Sequence, residues 1–197
     1  MERLLNLPPL EGLRPYLEAL ASRSPVPGGG VAAAVTIGQG LALLSMVCNL
    51  TIGKRQFSSV QSEVSSILER VTEMRAMVMS EAEADIHAFT ALMAAYQMAS
   101  DAPSLASKKK AAVARATRAA AEPPFRLMAL VLEAQPFADR LAQIGNPNVL
   151  SDVLVGRHLL VAGYASSVEN VEANLRNLSA GDPFIDKMKA RMKALQA

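Results

Sequence analysis

Apolar residues recur at intervals of three and four positions along most of this chain, and that spacing is typical of amphipathic α-helices. The longest such stripe covers residues 58–98. Its apolar positions are Val60, Val64, Ile67, Leu68, Val71, Met74, Val78, Ala82, Phe89, Leu92 and Tyr96. Alternating apolar and polar positions, which would indicate half-buried strands, are scarce. The pattern therefore predicts an all-α fold.

Loop signals divide this pattern into successive helices. Clusters of proline, glycine, asparagine and aspartate mark connections at 24–30, 101–104, 145–148 and 181–183. The predicted helices cover 12–23, 28–50, 58–98, 105–121, 125–144, 149–165, 166–178 and a last, basic helix that starts at 183. No internal repeat or low-complexity linker separates them, so residues 1–197 are predicted to form a single helical-bundle domain.

The helix predicted for 28–50 is apolar or small on every side. A helix of this kind is either buried all round or spans a membrane. Thr36, Gln39, Ser45 and Asn49 interrupt it and no aromatic belt flanks it, so we interpret it as a buried helix. Two placements remain open: the centre of the bundle, or a position shared with a second subunit.

Composition narrows the functional classes. Lys and Arg number 20 against 18 Asp and Glu, a net charge of +2, which gives no general attraction for nucleic acid or membranes. Aromatic residues make up 4%, too few for base-stacking platforms. The single cysteine, Cys48, excludes an intrachain disulfide and fits a reducing compartment. The first ten residues lack a signal-peptide pattern, and we expect a cytoplasmic protein.

Asp85 is the most informative single residue, because this carboxylate lies on the apolar stripe of its helix. A carboxylate in that position either meets a partner or faces a cleft. A structural ion pair and a functional site both remain open from the pattern alone. His87 lies roughly 200° around the helix from Asp85. Neither His87 nor His158 shows metal-ligand spacing with the other or with Cys48, so no metal site is predicted.

The three glycines at 28–30 open a helix. Helix starts offer free N–H groups and the positive end of the helix dipole, and glycine lets a ligand approach the backbone closely. The glycines follow no strand and lack the Walker spacing, which excludes dinucleotide-binding and P-loop motifs. Tight helix packing is the alternative reason for glycine here.

Polar pairs inside otherwise apolar helices are further candidates. Asn148 and Asp152 are four residues apart, as are Asn170 and Asn174, and this spacing puts each pair on one helix face. Such pairs either line a polar pocket or serve as caps and turn formers. The lysines at 108–110 are predicted to be a solvated helix face, and attraction of an anionic substrate tail is the alternative.

Five blocks, in this order, resemble the cyclodeaminase/cyclohydrolase family of tetrahydrofolate one-carbon enzymes. The blocks are Ser24-Pro25-Val26-Pro27-Gly28-Gly29-Gly30, the stretch 45–54 ending in Lys54, Asp85-Ile86-His87-Ala88-Phe89, the stretch Gly145 to Asp152, and Asn170-Val171-Glu172-Ala173-Asn174-Leu175. The chain departs from the family pattern after Tyr96, where many relatives have Pro-Lys, and at Phe57, where tyrosine is common.

The resemblance implies an all-α homodimer with a folate site near the glycine-rich loop. It implies hydrolysis of 5,10-methenyltetrahydrofolate to 10-formyltetrahydrofolate, with Asp85 as the catalytic carboxylate. The implied substrate-binding residues are Ser24, Pro27, Gly28, Gly29, Gly30, Lys54, Asn148, Asp152, Asn170 and Asn174. The asparagines and Asp152 would hydrogen-bond the pterin, and Lys54 would bind the glutamate carboxylates.

Two alternatives accompany this hypothesis. The first is formiminotetrahydrofolate cyclodeaminase, which reaches the methenyl compound by ring closure and release of ammonia. The second is a catalytically silent helical interaction module. In each case we expect no metal or cofactor beyond the folate, and neither nucleic acid nor a membrane as partner.

Overall fold

The computed structural model of the protein describes residues 12–195, so the signal-peptide expectation for the first ten residues lies outside it. Within this range all regular structure is helical. The helices are α1 (Leu13–Leu20), α2 (Gly29–Thr51), α3 (Gln61–Tyr96), α4 (Pro103–Ala120), α5 (Glu122–Ile144), α6 (Leu150–Arg176) and α7 (Pro183–Ala194), with short 3₁₀ helices at Arg55–Val60 and Pro147–Val149. The predicted all-α fold is confirmed.

Helix α2 lies at the centre of the bundle and packs against α3, α5 and α6. Small residues let α6 come close: a Cβ on Gly40 would lie 2.8 Å from the carbonyl oxygen of Gly156, which a side chain does not tolerate. Large apolar side chains fill the remaining space, among them Ile37, Leu41 and Leu44, which are fully buried. The glycine and alanine content of α2 is thus explained by close helix packing.

Helices α3 and α6 run antiparallel to α2, whereas α5 runs parallel to it. Its first turn lies beside Asp85 on α3 and Asn170 on α6, and its last turn lies beside the loop that precedes α6. Asn146 in that loop fixes this second end. Its backbone N–H donates to Thr51 Oγ1 at 3.0 Å, and its side-chain Nδ2 donates to the Leu50 carbonyl at 3.1 Å.

Helix α5 contacts α2, α3 and α6, and arginine–glutamate pairs join it to α3. These pairs are Arg70–Glu133, Arg126–Glu81 and Arg140–Glu63. A smaller apolar cluster joins α5, α6 and α7, with Met128, Val171 and Met188 at its centre. Asp182 caps α7 by accepting the backbone N–H of Phe184.

Several predicted bounds differ from the observed helices, and two of these differences have a clear physical cause. The helices expected at 149–165 and 166–178 are one continuous helix, α6, because Ser166 and Ser167 bond back to the carbonyls of Ala162 and Gly163 and so cap no new helix. Helix α5 starts at Glu122, three residues before the predicted start at Phe125. Its two prolines occupy the first turn, where a missing N–H costs nothing.

The expectation that α2 is buried all round is also wrong in part. One stripe of α2 is half-buried or exposed, and its members are Val35, Thr36, Gln39, Leu43, Met46, Asn49 and Leu50. By length and composition alone α2 could cross a membrane, yet 56% of its most apolar window is buried inside the fold. Its packing is that of the core helix of a soluble bundle with one uncovered side.

Candidate active site

A cavity of about 270 Å³ lies at the N-terminal end of α2, between α3 and α6. It exists because α3 and α6 both extend past the first turn of α2. Its walls are Pro25, Val26, Gly28, Gly29 and Gly30 from the loop and α2, Asp85, Phe89, Leu92, Met93 and Tyr96 from α3, Ala120 from α4, and Asn170, Ala173, Asn174 and Asn177 from α6 and its C-terminal end.

The loop before α2 holds the backbone in place for this cavity. Ser24 Oγ donates to the Val26 carbonyl at 2.6 Å, and the Val26–Pro27 peptide is cis. Neither Ser24 nor Pro27 lines the cavity, so their position indicates a role in shaping the loop. Gly28 is the extended N-cap residue of α2, and no side chain caps the helix. The first N–H groups of α2 are therefore free for a ligand.

Gly30 is required by the carboxylate beside it. A Cβ at this position would overlap both carboxylate oxygens of Asp85. A Cβ on Gly29 would lie 3.1 Å from Asn170 Oδ1, which is also tighter than most real contacts. The glycines thus allow side chains of α3 and α6 to reach the start of α2.

The Asp85 carboxylate is half-buried and has no hydrogen bond or ion pair within residues 12–195. Burial raises its pKa above the ordinary value for aspartate. The sequence left two interpretations of Asp85 open, a structural ion pair and a functional site. No ion pair of Asp85 occurs in the described part of the chain. A half-buried carboxylate without a protein partner, in a cavity, is the arrangement of a functional acid or base.

The asparagines of α6 line the opposite wall. Asn170 Nδ2 donates to the Ser166 carbonyl at 2.7 Å, and Asn174 Nδ2 donates to the carbonyls of Ala120 and Asn170. Both N–H groups of the Asn174 amide and one of the Asn170 amide are thereby occupied, which leaves the two amide oxygens and the second N–H of Asn170 for a ligand. Asn177 joins them on this wall, and the sequence analysis missed it. The sequence does contain a pattern that indicates it: Asn170, Asn174 and Asn177 follow the i, i+4, i+7 spacing of one helix face.

The structure does not bring Lys54, Asn148 or Asp152 to this cavity. They lie at the other end of α2, where Lys54 follows the helix and Asn148 and Asp152 belong to the 3₁₀ turn and the first turn of α6. Since an α-helix rises about 1.5 Å per residue, α2 separates the two groups by roughly 33 Å. Within one chain, the ten predicted substrate-binding residues therefore form two separate groups.

A larger groove of about 590 Å³ lies between α6 and α7. Its lining combines apolar side chains, among them Leu175 and Met192, with the charged side chains of Glu172, Arg176 and Lys189. Polar groups that converge on one point, together with a perturbed pKa, mark a site better than volume does. The smaller Asp85 cavity has both.

Other reactive side chains in the described range do not point to a second chemistry. Burial raises the pKa of Cys48 to about 11, which keeps this buried thiol neutral. His87 and His158 are exposed and lie on different helices. No cluster of three or more potential metal ligands occurs among residues 12–195. The cavity therefore offers a carboxylate, amide oxygens and free backbone N–H groups.

Comparisons with known proteins agree on one family. The family model described as formiminotransferase-cyclodeaminase matches residues 12–194. A methenyltetrahydrofolate cyclohydrolase from Methylorubrum extorquens is 34% identical over 168 residues, which cover 85% of this chain and 81% of that protein.

Two further relatives carry the cyclodeaminase name. The formimidoyltransferase-cyclodeaminase of Rattus norvegicus is 32% identical over 93% of this chain, which spans only 34% of that longer protein. A crystal structure of formiminotetrahydrofolate cyclodeaminase from Thermotoga maritima has a TM-score of 0.82 and 27% identity, and the match covers 93% of this chain and 87% of that one.

Proposed function

The chain belongs to the formiminotransferase-cyclodeaminase family, and we propose that it hydrolyses 5,10-methenyltetrahydrofolate to 10-formyltetrahydrofolate. The observation that carries the proposal is the Asp85 carboxylate, half-buried and without a protein partner, beside Gly30 at the start of α2. The Methylorubrum extorquens relative, named for this activity and matched over most of its length, supports hydrolysis as the reaction.

The substrate carries a positive charge on the amidinium carbon that bridges N5 and N10. Asp85 stabilises this cation, and as general base it accepts a proton from the water that adds to the carbon. The bond from that carbon to N5 then breaks, and N5 takes a proton as it leaves. The products are 10-formyltetrahydrofolate and one released proton, so atoms and charge balance.

The cavity walls give the pterin its orientation in this proposal. The amide oxygens of Asn170 and Asn174 accept hydrogen bonds from pterin N–H groups, while Phe89 and Leu92 contact the ring. Asn177 is a further candidate at the outer end of the same wall. No step in this scheme uses a metal or a further cofactor, and we propose that turnover survives dialysis against a chelator.

The test of this role is the variant Asp85→Asn, which keeps the shape of the side chain and removes its basicity. Turnover, followed as loss of the methenyl absorbance, should fall by roughly 10²–10⁴-fold, the usual contribution of general acid–base catalysis. Helical content by circular dichroism should be unchanged. The matched control is Glu83→Gln, an exposed carboxylate on the same helix, which should retain wild-type turnover. Wild-type turnover in Asp85→Asn contradicts the assignment.

A second candidate function is formiminotetrahydrofolate cyclodeaminase, favoured by the Thermotoga maritima match. In that reaction N10 attacks the formimino carbon and ammonia leaves, and Asp85 would again face the one-carbon unit. The two substrates, supplied separately, distinguish the reactions: hydrolysis consumes methenyl absorbance, whereas cyclodeamination creates it and releases ammonia. A protein that binds folate without turning over either substrate would instead be the silent helical module.

We also propose that the chain is a cytoplasmic homodimer. The uncovered stripe of α2 adjoins exposed apolar residues of α6, where Leu154, Val155 and Val161 are 43%, 48% and 51% exposed. Helix α1 has a complete apolar stripe yet buries none of its residues, and Leu17 is 51% exposed. Apolar surface of this extent in a soluble protein indicates a protein partner, and a second copy offers the same apolar residues.

Val155→Asp tests the dimer, because the exposed position tolerates aspartate in a monomer but a buried interface does not. Light scattering should give twice the chain mass for the wild type and a monomer for this variant. The control is Met77→Asp. Met77 is 44% exposed on α3 and lies on the same face as Arg70 and Glu81, which pair with residues of α5 and so lie away from the proposed interface. A wild-type monomer would contradict the proposal.

A further inference from the structure

A second cavity, of about 320 Å³, adjoins the Asp85 cavity. The two share Tyr96 and Asn177 as lining residues, so these side chains form their common boundary. The other lining residues are Ser100, Ala106, Lys109, Lys110, Val113, Ala114, Leu178 and Ser179. The second cavity thus continues the first along α3 and α6 and ends at α4.

This second cavity is positively charged. Lys109 is half-buried and Lys110 is exposed, and neither forms an ion pair with a carboxylate in residues 12–195. Every ion pair in that range is formed by an arginine. Because Lys109 and Lys110 line this cavity and neither is paired with a carboxylate, their ammonium groups are available to an anion that binds from outside the chain.

The positions of the lysines differ from the sequence prediction in two respects. Of the lysines predicted to form a solvated helix face, Lys108 and Lys110 are exposed, whereas Lys109 is half-buried in a cavity wall, which favours the alternative of an anionic substrate tail. Lys54 was expected to bind the glutamate carboxylates, yet it lies at the opposite end of α2. Of these lysines, Lys109 and Lys110 are the ones beside the Asp85 cavity.

We propose that Lys109 and Lys110 bind the glutamyl carboxylates of the folate substrate, an inference that rests on the proposed function. With the pterin between Asp85 and the α6 asparagines, the aminobenzoyl ring passes Tyr96 and the glutamate enters the second cavity. Tyr96, 42% exposed at the boundary, gives this ring an aromatic surface. The ammonium groups then form charge-assisted hydrogen bonds to the carboxylates.

The experiment compares three substrates that differ only in their tail: 5,10-methenyltetrahydropteroate, which has no glutamate, and the mono- and pentaglutamate forms of methenyltetrahydrofolate. The variants are Lys109→Met, which keeps an aliphatic stem and removes the charge, and Lys109→Ala. Lys108→Ala is the matched control, because Lys108 is exposed on the same helix and lines neither cavity. Lys54→Ala tests the position expected from the sequence.

Both Lys109 variants should raise KM for the glutamate-bearing substrates by about tenfold or more, as expected for loss of a charge-assisted hydrogen bond. Their kcat should stay at the wild-type value, and their KM for the pteroate substrate should not change. Lys108→Ala should match the wild type on every substrate. An unchanged KM in both Lys109 variants, an equal rise for the pteroate substrate, or a rise in Lys54→Ala alone overturns the inference.

A binding measurement separates this inference from the proposed function. Calorimetric titration with 5-formyltetrahydrofolate and with 5-formyltetrahydropteroate reports the contribution of the tail without turnover. If the wild type turns over no methenyl substrate, the proposed reaction fails, and the difference in Kd between the two ligands still decides the role of Lys109. Loss of that difference in Lys109→Met supports the role; its persistence, or no folate binding by the wild type, refutes it.

Discussion

Replacing Gly30 by alanine adds one methyl group at the point where α2 meets the Asp85 carboxylate. The Cβ would overlap both carboxylate oxygens, so one of the two groups has to move. The start of α2 is held by its packing between α3 and α6, whereas Asp85 has no hydrogen bond or ion pair in the described residues. We therefore expect the side chain of Asp85 to rotate away from α2.

The two effects on stability oppose each other. Alanine is more favourable than glycine in a helix by about 0.5–1 kcal/mol. Overpacking costs roughly 1–3 kcal/mol where neighbours cannot move. Because the half-buried Asp85 side chain can move, we expect the net change in the free energy of unfolding to stay within about 1 kcal/mol. Displacing the catalytic base should nevertheless reduce turnover by roughly 10²–10⁴-fold.

The assay combines kcat from methenyl absorbance with the midpoint of urea unfolding. The matched control is Gly38→Ala on the same helix, where a Cβ would lie 4.0 Å from Val78 Cγ1, an ordinary contact. This control should keep full turnover. The double variant Gly30→Ala/Asp85→Asn should be no slower than Asp85→Asn alone, because both changes remove one group. Wild-type kcat in Gly30→Ala would refute the placement of Asp85 as the base.

Four further predictions follow from the pKa of Asp85, the Asn146 hydrogen bonds and the burial of Cys48. Because burial raises the pKa of Asp85, its ionised form destabilises the native state, so Asp85→Asn should raise Tm at pH 7 and lose this advantage as the pH falls towards about 4. For the same reason, wild-type kcat/KM should fall at acid pH with an apparent pKa above the ordinary pKa of aspartate. Asn146→Ala should cost about 1–3 kcal/mol in urea unfolding, because it leaves the Leu50 carbonyl without its partner. Cys48 should not react with a thiol reagent at pH 8 unless the protein is unfolded, since it is buried and its pKa is about 11.

The helices were predictable because their stripes are long and regular. The residues of α3 that the stripe placed on one face, such as Val64, Val71 and Val78, are buried in the structure. The division of α6 was not predictable from composition, because Ser166 and Ser167 read as a helix start but bond back along the same helix. Local patterns give helical faces more reliably than helix ends.

The candidate site was predictable only in part, for a geometric reason. Spacing along a helix tells which residues share a face, but not which ends of different helices lie together. The family blocks therefore identified Asp85, Asn170 and Lys54 alike, whereas the antiparallel packing brings the first two together and leaves Lys54 at the other end of α2.

The position of the cavity follows from helix lengths. Helices α3 and α6 have 36 and 27 residues against 23 in α2, and both extend past its first turn. Along α3, the stripe packs against α2 up to Ala82, meets the first turn of α2 at Asp85, and continues past that turn as Phe89 and Leu92; these last three residues line the cavity. The same face therefore serves first as core and then as cavity wall. An unpaired carboxylate on an apolar stripe is costly inside the core, so the place where Asp85 interrupts the stripe marks the N-terminal end of α2, where the site begins.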